Sequence, residues 1–454
     1  MRYSLFHKRM KGPPLVEGQK PVDSRSIERL KAGRLASMAL QLTARLIEQF
    51  GPRPAGSENA RLTAHEIERS LKPFCDHTEK ESVPLDLSFS VLPLRVMVYL
   101  YPILVLLALF DLSLISLLLF ALYLGWVYLF RYRYRPSTRE PKKPAEGVNI
   151  HGILDPSGEV KQTILFTAHH DSAYIQRYNR LDRAAYLVRV GLPIALFGLI
   201  GILSFLLIFT KTNIGSSIIL LAMLGATYFF VPLLSFYEEG ASVGAGDNLN
   251  SAAIIVELAR YFNWRKANDE PLSQTRLLFC SFDGEEVGLQ GSQHWYREHS
   301  DLIEGAIVLN FDSIYYADSL TFLERDANAT VQLSKALARR CVSIAHSMGY
   351  AAKSRSIPRL GGATDAASAS RAGVQATTLI ATAWDDRSKG SVQHTEADVV
   401  EAIEPKAVEQ AISIAIRLVE LVESNSLWEE SAEHTEEPEV EKEPSLSFGR
   451  LTHR

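Results

Sequence analysis

The sequence predicts an α/β fold with several buried strands, interrupted by two pairs of membrane-spanning helices. Three observations carry this. Short apolar runs bounded by charge and turn residues, Thr275–Phe282 above all, read as buried strands. Stretches with helical spacing of apolar residues alternate with them. Between residues 91 and 236 the alternation gives way twice to paired apolar segments of about 19 residues each, close to the roughly 20 that a bilayer-spanning helix needs.

In chain order, residues 1–21 read as a flexible, basic lead. A helical pattern runs from Val22 to Phe50, with Ser24 or Ser26 as its cap. The Gly/Pro turn GPRPAGSENA (51–60) follows, then a helix to about Leu71 and a strand within Phe74–Phe89. The first apolar pair covers 91–130 and hinges near Asp111; the second covers 187–236 and breaks at Lys211-Thr212-Asn213. Tyr and Trp lie near the segment ends, as at a membrane interface. After Tyr237 the reading is a turn at Gly244–Asn250 and a helix at Ser251–Trp264. The strand Thr275–Phe282 comes next, then a helix at Ser292–Ser300 and a strand at Gly305–Asp312. A helix at Thr330–Met348, a strand at Thr377–Ala381 and a helix at Pro405–Glu423 complete the pattern. The divisions are therefore a lead (1–21), soluble parts (22–90, 131–186, 237–424), two hairpins (91–130, 187–236) and a Glu-rich, disordered tail (425–454).

Two hairpins mean an even number of crossings before each soluble part. All three soluble parts then share one side and can build one domain. Arg131, Arg133, Arg135, Arg139, Lys142 and Lys143 follow the first hairpin, and Arg177, Arg180, Arg183 and Arg189 precede the second; the tips carry only Asp111 and Lys211. The positive-inside rule puts the soluble side in the cytoplasm. A net charge of −4 with no long basic run points away from nucleic acid. Three cysteines without metal or redox spacing fit a reducing compartment. The N-terminus lacks the apolar stretch of a signal peptide. The oligomeric state is not legible in the chain. A transporter is disfavoured, because the spans hold few charged residues.

Chemistry concentrates in five loops. In ILFTAHHDSAY, His169 and Asp171 stand two apart at a strand end, where a carboxylate can hold an imidazole in its ligating tautomer. His170 between them reads as a pocket wall. In GAGDNLNS, Asp247 sits in a glycine-rich turn ahead of a helix, where it could also serve as a cap. In FDGEEVGLQGS, adjacent Glu285 and Glu286 leave a strand pointing different ways. One carboxylate can then bind a metal while the other faces a water. Asp312 closes an apolar strand in IVLNFDS, and His394 lies in SVQHTEADVV. Each loop alone would pass for a surface feature. Together they offer two imidazoles and three carboxylates as ligands, plus one spare carboxylate, on loops that converge at one crevice in an open α/β sheet. That donor set suits zinc.

In order, spacing and local context these segments resemble the zinc aminopeptidases of the bacterial leucyl aminopeptidase and aminopeptidase Y type, in metallopeptidase clan MH. The resemblance runs through GPRPAGS, His169-x-Asp171-Ser172, Gly246-Asp247-Asn248, GEEVGLQGS from Gly284, Asn310-Phe311-Asp312 and His394-Thr395-x-x-Asp398. It implies a mixed central β-sheet of about eight strands flanked by helices. It also implies two Zn2+ ions, with Asp247 bridging, His169 and Asp312 completing one site, and Glu286 and His394 the other. Glu285 becomes the general base and Asp171 the residue that orients His169. The substrate implied is a peptide with a free N-terminus. The chain departs from the family in its two hairpins and in GGATDAASAS (361–370), where Thr364-Asp365-Ala366 replaces a Ser-Asp-His segment. The competing readings are a glutaminyl-cyclase-like enzyme with a single zinc and a non-catalytic binding module on the same fold.

Overall fold

The computed structural model describes residues 24–89, 91–135, 144–180, 183–384 and 392–429. The expected lead, most of the expected tail, and Arg139, Lys142 and Lys143 lie outside these residues. Among the described residues there are eleven strands: β1 (His77–Leu85), β2 (Ala145–Leu154), β3 (Gln162–His169), β4 (Tyr174–Gln176), β5 (Tyr237–Ala241), β6 (Thr275–Phe282), β7 (Ile307–Ile314), β8 (Leu320–Asp326), β9 (Val331–Gln332), β10 (Ala352–Ser356) and β11 (Gln375–Ala381). Eight of them run side by side in the order β1-β2-β6-β3-β7-β11-β8-β10, with β9 paired to β8. The sheet is mixed. β6, β3, β7 and β11 are mutually parallel, while β1, β2 and β8 join antiparallel neighbours.

The parallel centre positions the site. Strands that run the same way end at the same edge, so the segments after β3, β6, β7 and β11 emerge together. The register pairs His169 with Phe282, and Ile380 with Asp312. Phe166 stacks on Phe279 and on Phe311, each with ring centroids 6.0 Å apart, locking the three central strands. Each such ring, fully buried, is worth roughly 1.5–3 kcal/mol.

Helices cover both faces. On one lie Ser24–Phe50, Asn250–Ala267 and Pro405–Glu423, and on the other Gln290–Glu298 with its buried Trp295 and Tyr296. The Asn250–Ala267 helix is sandwiched between the sheet and its two helical neighbours, so apolar residues surround it on nearly all sides.

Of the eight strands that run side by side, three escape a periodicity reading. β2 (AEGVNIHGIL) carries two glycines and a glutamate, β10 (AKSRS) is a polar edge strand, and β8 (LTFLERD) is short and charged at its end. Their partners, not their own patterns, make them strands. The helix expected from Thr330 starts at Lys335, because Ser334 accepts a hydrogen bond from the Leu337 N–H at 3.3 Å and Val331–Gln332 pair with β8. The tail does not leave the body at 425: Leu427 is 3 % exposed and packs into the core.

Four helices, Leu92–Leu109, Ser113–Tyr132, Ala184–Thr210 and Ile214–Ser235, are long and apolar enough to cross a membrane. They pack together as a separate apolar cluster around Tyr101, Leu104, Phe197 and Phe230. Ser116 and Ser204 share a hydrogen bond at 2.8 Å across it, and Tyr101 donates to the Met223 carbonyl at 2.9 Å. The two tips meet where the Thr212 N–H donates to Asp111 Oδ1 at 3.0 Å. Each hairpin leaves the soluble body from one strand and returns to that strand's antiparallel partner: β1 to β2 for the first, β4 to β5 for the second. The insertions therefore lengthen two β-connections and leave the ladders intact.

Candidate metal centre

His169 ends β3, Asp312 lies near the end of β7, and Glu285 and Glu286 follow β6 beyond the turn at Gly284, whose φ is +77°. Asp247 lies in the irregular turn before the Asn250–Ala267 helix, and His394 follows β11. The structure brings all six together. His169, Asp247 and Asp312 place ligand atoms within 4.8 Å of one another, as do Asp247, Glu286 and His394, and likewise His169, Glu285 and Glu286. Asp247 is common to the first two groups. Its Oδ1 lies 3.4 Å from His169 Nε2 and its Oδ2 lies 3.2 Å from His394 Nε2. Glu286 Oε2 is 3.4 Å from His394 Nε2, and Asp312 Oδ2 is 4.0 Å from His169 Nε2.

The supporting residues explain why these side chains stay put. Asp171 Oδ1 lies 3.2 Å from His169 Nδ1, and its two oxygens accept the N–H groups of Glu285 and Glu286 at 3.3 and 3.1 Å. One buried carboxylate thus fixes a ring and the turn that carries both glutamates. Asp398 holds the Asp247 turn, accepting the Gly246 N–H at 2.8 Å and the Asp247 N–H at 3.3 Å. Asn248 ties that turn to β7 through the Phe311 carbonyl at 2.9 Å and the Ser313 N–H at 3.2 Å. Fully buried Arg53, from GPRPAGS, donates to the carbonyls of Gly51, His170 and Gly244 at 2.8, 2.9 and 3.0 Å. Asp283 accepts the Gly56 and Val148 N–H groups, each at 3.2 Å. Sequence patterns named the six convergent residues and Asp171 but assigned no role to Arg53, Asp283 or Asp398. Their partners are remote in sequence, and the only signal was their place inside motifs.

His170 is not a pocket wall. It is fully buried beneath the site with Nδ1 2.9 Å from Ser281 Oγ, and burial lowers its pKa to about 3. The residue after the strand end points back into the sheet, opposite to His169.

The electrostatics are those of a crowded cluster of buried carboxylates. Burial pushes Glu285 well above its ordinary range; His169 opposes this and Glu286 adds to it. Burial and Asp247 raise Asp312 to about 8, and burial raises Glu286. Asp247 is instead held low: burial is overridden by His169 and His394. Burial also works against charging the two imidazoles, but the carboxylates facing them raise both well above the ordinary histidine value. So many buried carboxylates need compensating positive charge. Two imidazoles with aspartate and glutamate oxygens form a donor set that fits zinc. Another grouping, Glu79, His151 and His299, lies at the outer edge of the sheet. There Trp295 Nε1 donates to His151 Nδ1 at 3.3 Å. This places the ring proton on Nε2 and removes the lone pair a metal would use.

Against known proteins, residues 221–419 match the model of Peptidase family M28. A probable glutamate carboxypeptidase from Arthroderma benhamiae is 39 % identical over 72 residues, 15 % of this chain; the matched stretch spans about a tenth of that protein's length. Among solved structures, a Zn-dependent exopeptidase from Parabacteroides distasonis is similar at TM-score 0.51 and 14 % identity, covering 85 % of this chain and 97 % of its own. An aminopeptidase from Legionella pneumophila gives 0.50 and 13 %, covering 91 % and 78 %. A glutaminyl cyclase from Porphyromonas gingivalis gives 0.51 and 14 %, covering 85 % and 97 %. These identities speak to the shared fold. The family match covers residues 221–419, somewhat less than half of the chain, and the fold is the one these zinc-exopeptidase structures share.

Proposed function

We propose that the chain is a membrane-anchored zinc metallopeptidase of aminopeptidase type, holding two zinc ions and cleaving peptides near a free N-terminus. The observation that carries this is the position of Asp247, with one carboxylate oxygen toward each imidazole. Such a carboxylate can serve two metals at once, with His169 and Asp312 on one side and Glu286 and His394 on the other. Bound zinc would lower the pKa of a coordinated water and polarise the scissile carbonyl.

The protein's own groups would do the rest. Glu285 lies beside the ligands without an ion pair closer than 3.8 Å, and its raised pKa suits a proton carrier. It takes a proton from the attacking water and returns it to the departing amine. Asp171 keeps the His169 ring in place through Nδ1. The four apolar helices would anchor the domain in a bilayer, and the basic residues flanking the hairpins favour its exposure to the cytoplasm.

The test is purification of the full chain in detergent, metal analysis, and hydrolysis of a panel of unblocked peptides before and after chelation. Two zinc ions per chain and chelator-sensitive release of the N-terminal residue are expected. One zinc per chain, with cyclisation of an N-terminal Gln peptide and no hydrolysis, would instead identify the cyclase chemistry.

A further inference from the structure

The first hairpin does more than reach the membrane. Its two feet fold back onto the catalytic turn. Phe89, just before the hairpin, packs on Gly288, two residues after Glu286; a Cβ at Gly288 would lie 2.6 Å from the Phe89 ring. Tyr134, just after the hairpin, packs beside Leu289, Ala327 and Ala367. Its carbonyl accepts from Gln293 Nε2 at 3.4 Å and from Arg371 at 2.7 Å. Burial raises the Tyr134 pKa, the neighbouring Arg131 opposes this, and the Glu285 carboxylate adds to the rise.

Between these feet stands Arg131. Its guanidinium lies 4.7 Å from the centre of the Phe89 ring and 5.5 Å from that of Tyr134. Its polar neighbours are the Tyr134 and Tyr237 side chains. Tyr237 pairs across β4–β5 with Gln176, whose side chain touches His394. The cation is therefore flanked by one residue at the Glu285 wall and another tied to the His394 wall. Among the described residues no carboxylate lies within ion-pair distance of it. Two aromatic faces offset part of the desolvation of this half-buried guanidinium, and its fork keeps donors for a further partner. A planar fork of N–H groups held against rings matches the two oxygens of a carboxylate.

The geometry points to Arg131 as the residue that binds a substrate carboxylate at the mouth of the metal-ligand cluster. This rests on the peptidase reading above. The carboxylate belongs either to the C-terminus of a short peptide or to an acidic side chain, and three substrates separate the sources: Ala-Ala, Ala-Ala-amide and Ala-Asp-amide.

With the zinc-loaded full chain, kcat/KM should be at least about tenfold higher for Ala-Ala or for Ala-Asp-amide than for Ala-Ala-amide; the winner names the source. Arg131→Met should bring that ratio close to one by raising KM for the carboxylate substrate, and Arg131→Lys should restore part of it. A structural role would slow all three substrates alike and leave the ratio standing. Equal cleavage of all three by the unaltered protein overturns the inference, leaves the peptidase reading intact, and needs no variant to fold. Cleavage of none of them, nor of longer unblocked peptides, overturns both.

Discussion

Gln176 reaches His394 twice. Its backbone N–H donates to the His394 carbonyl at 3.3 Å, and its side-chain amide lies 3.0 Å from His394 Nδ1. Gln176 ends β4, the strand from which the second hairpin departs, so that hairpin starts beside His394. For Nε2 to bind a metal, Nδ1 must carry the proton, and the amide must then turn its carbonyl oxygen toward the ring. Gln176→Leu, which cannot accept that proton, should weaken zinc retention about 10–100-fold. Competition with a chelator of known affinity measures it, and unchanged retention would show that the contact does not tune the ligand.

Glu285 and Glu286 are neighbours with different surroundings. Glu286 lies 3.4 Å from His394, whereas the nearest imidazole nitrogen to Glu285 is 3.8 Å away, on His169. Glu285→Gln should therefore keep its zinc yet lower kcat by about 10²–10⁴-fold, the usual share of a general base. Glu286→Gln should lose metal. Full activity in a zinc-loaded Glu285→Gln protein would remove Glu285 from its role.

Zinc and protons compete for the same groups, and the sign of the pH effect follows. With no zinc bound, burial and Asp247 hold Asp312 at about 8. Unfolded, it titrates near 4. Its contribution to stability is complete below about pH 4 and lost as pH climbs to about 8. The raised values of His169 and His394 act in the same direction, full below the ordinary histidine value and lost above it. Zinc takes the deprotonated forms, so the Tm gap between zinc-loaded and chelated protein should widen from pH 5 to pH 8. At free zinc a hundredfold above Kd the gain is about 2.7 kcal/mol. A gap that stays flat across this range contradicts the ligand set.

Gly201 lets two of the apolar helices approach closely. A Cβ there would lie 2.4 Å from the Phe120 ring, which has no flexible end to fold aside. Gly201→Val should destabilise the bundle by about 1–3 kcal/mol. Thermal unfolding in detergent would report the loss, while zinc content stays at the level of the parent protein. A drop in zinc content together with Tm would mean that bundle and site unfold as one unit.

Where sequence patterns worked, the cause was local. Thr275–Phe282 and Pro405–Glu423 are found with the boundaries their apolar spacing indicates. The four apolar spans appear as four helices, because a helix satisfies the backbone of a long apolar run within the run itself. The ligand-type residues were legible as acids and imidazoles at strand ends, since chemistry of that kind is rarely placed there for packing alone.

The sequence by itself determined the α/β alternation, the two hairpins and the residue types of the site, because near-neighbour spacing and side-chain chemistry decide these. Only the tertiary structure decided that β2, β8 and β10 are strands, that His170 turns inward, that Arg131 stands over Phe89 and Tyr134, and that Gln176 reaches His394. Gln176 and His394 are 218 positions apart, and no local pattern encodes such a contact. It forms because parallel strands end at one edge and each hairpin returns its chain to the strand beside the one it left.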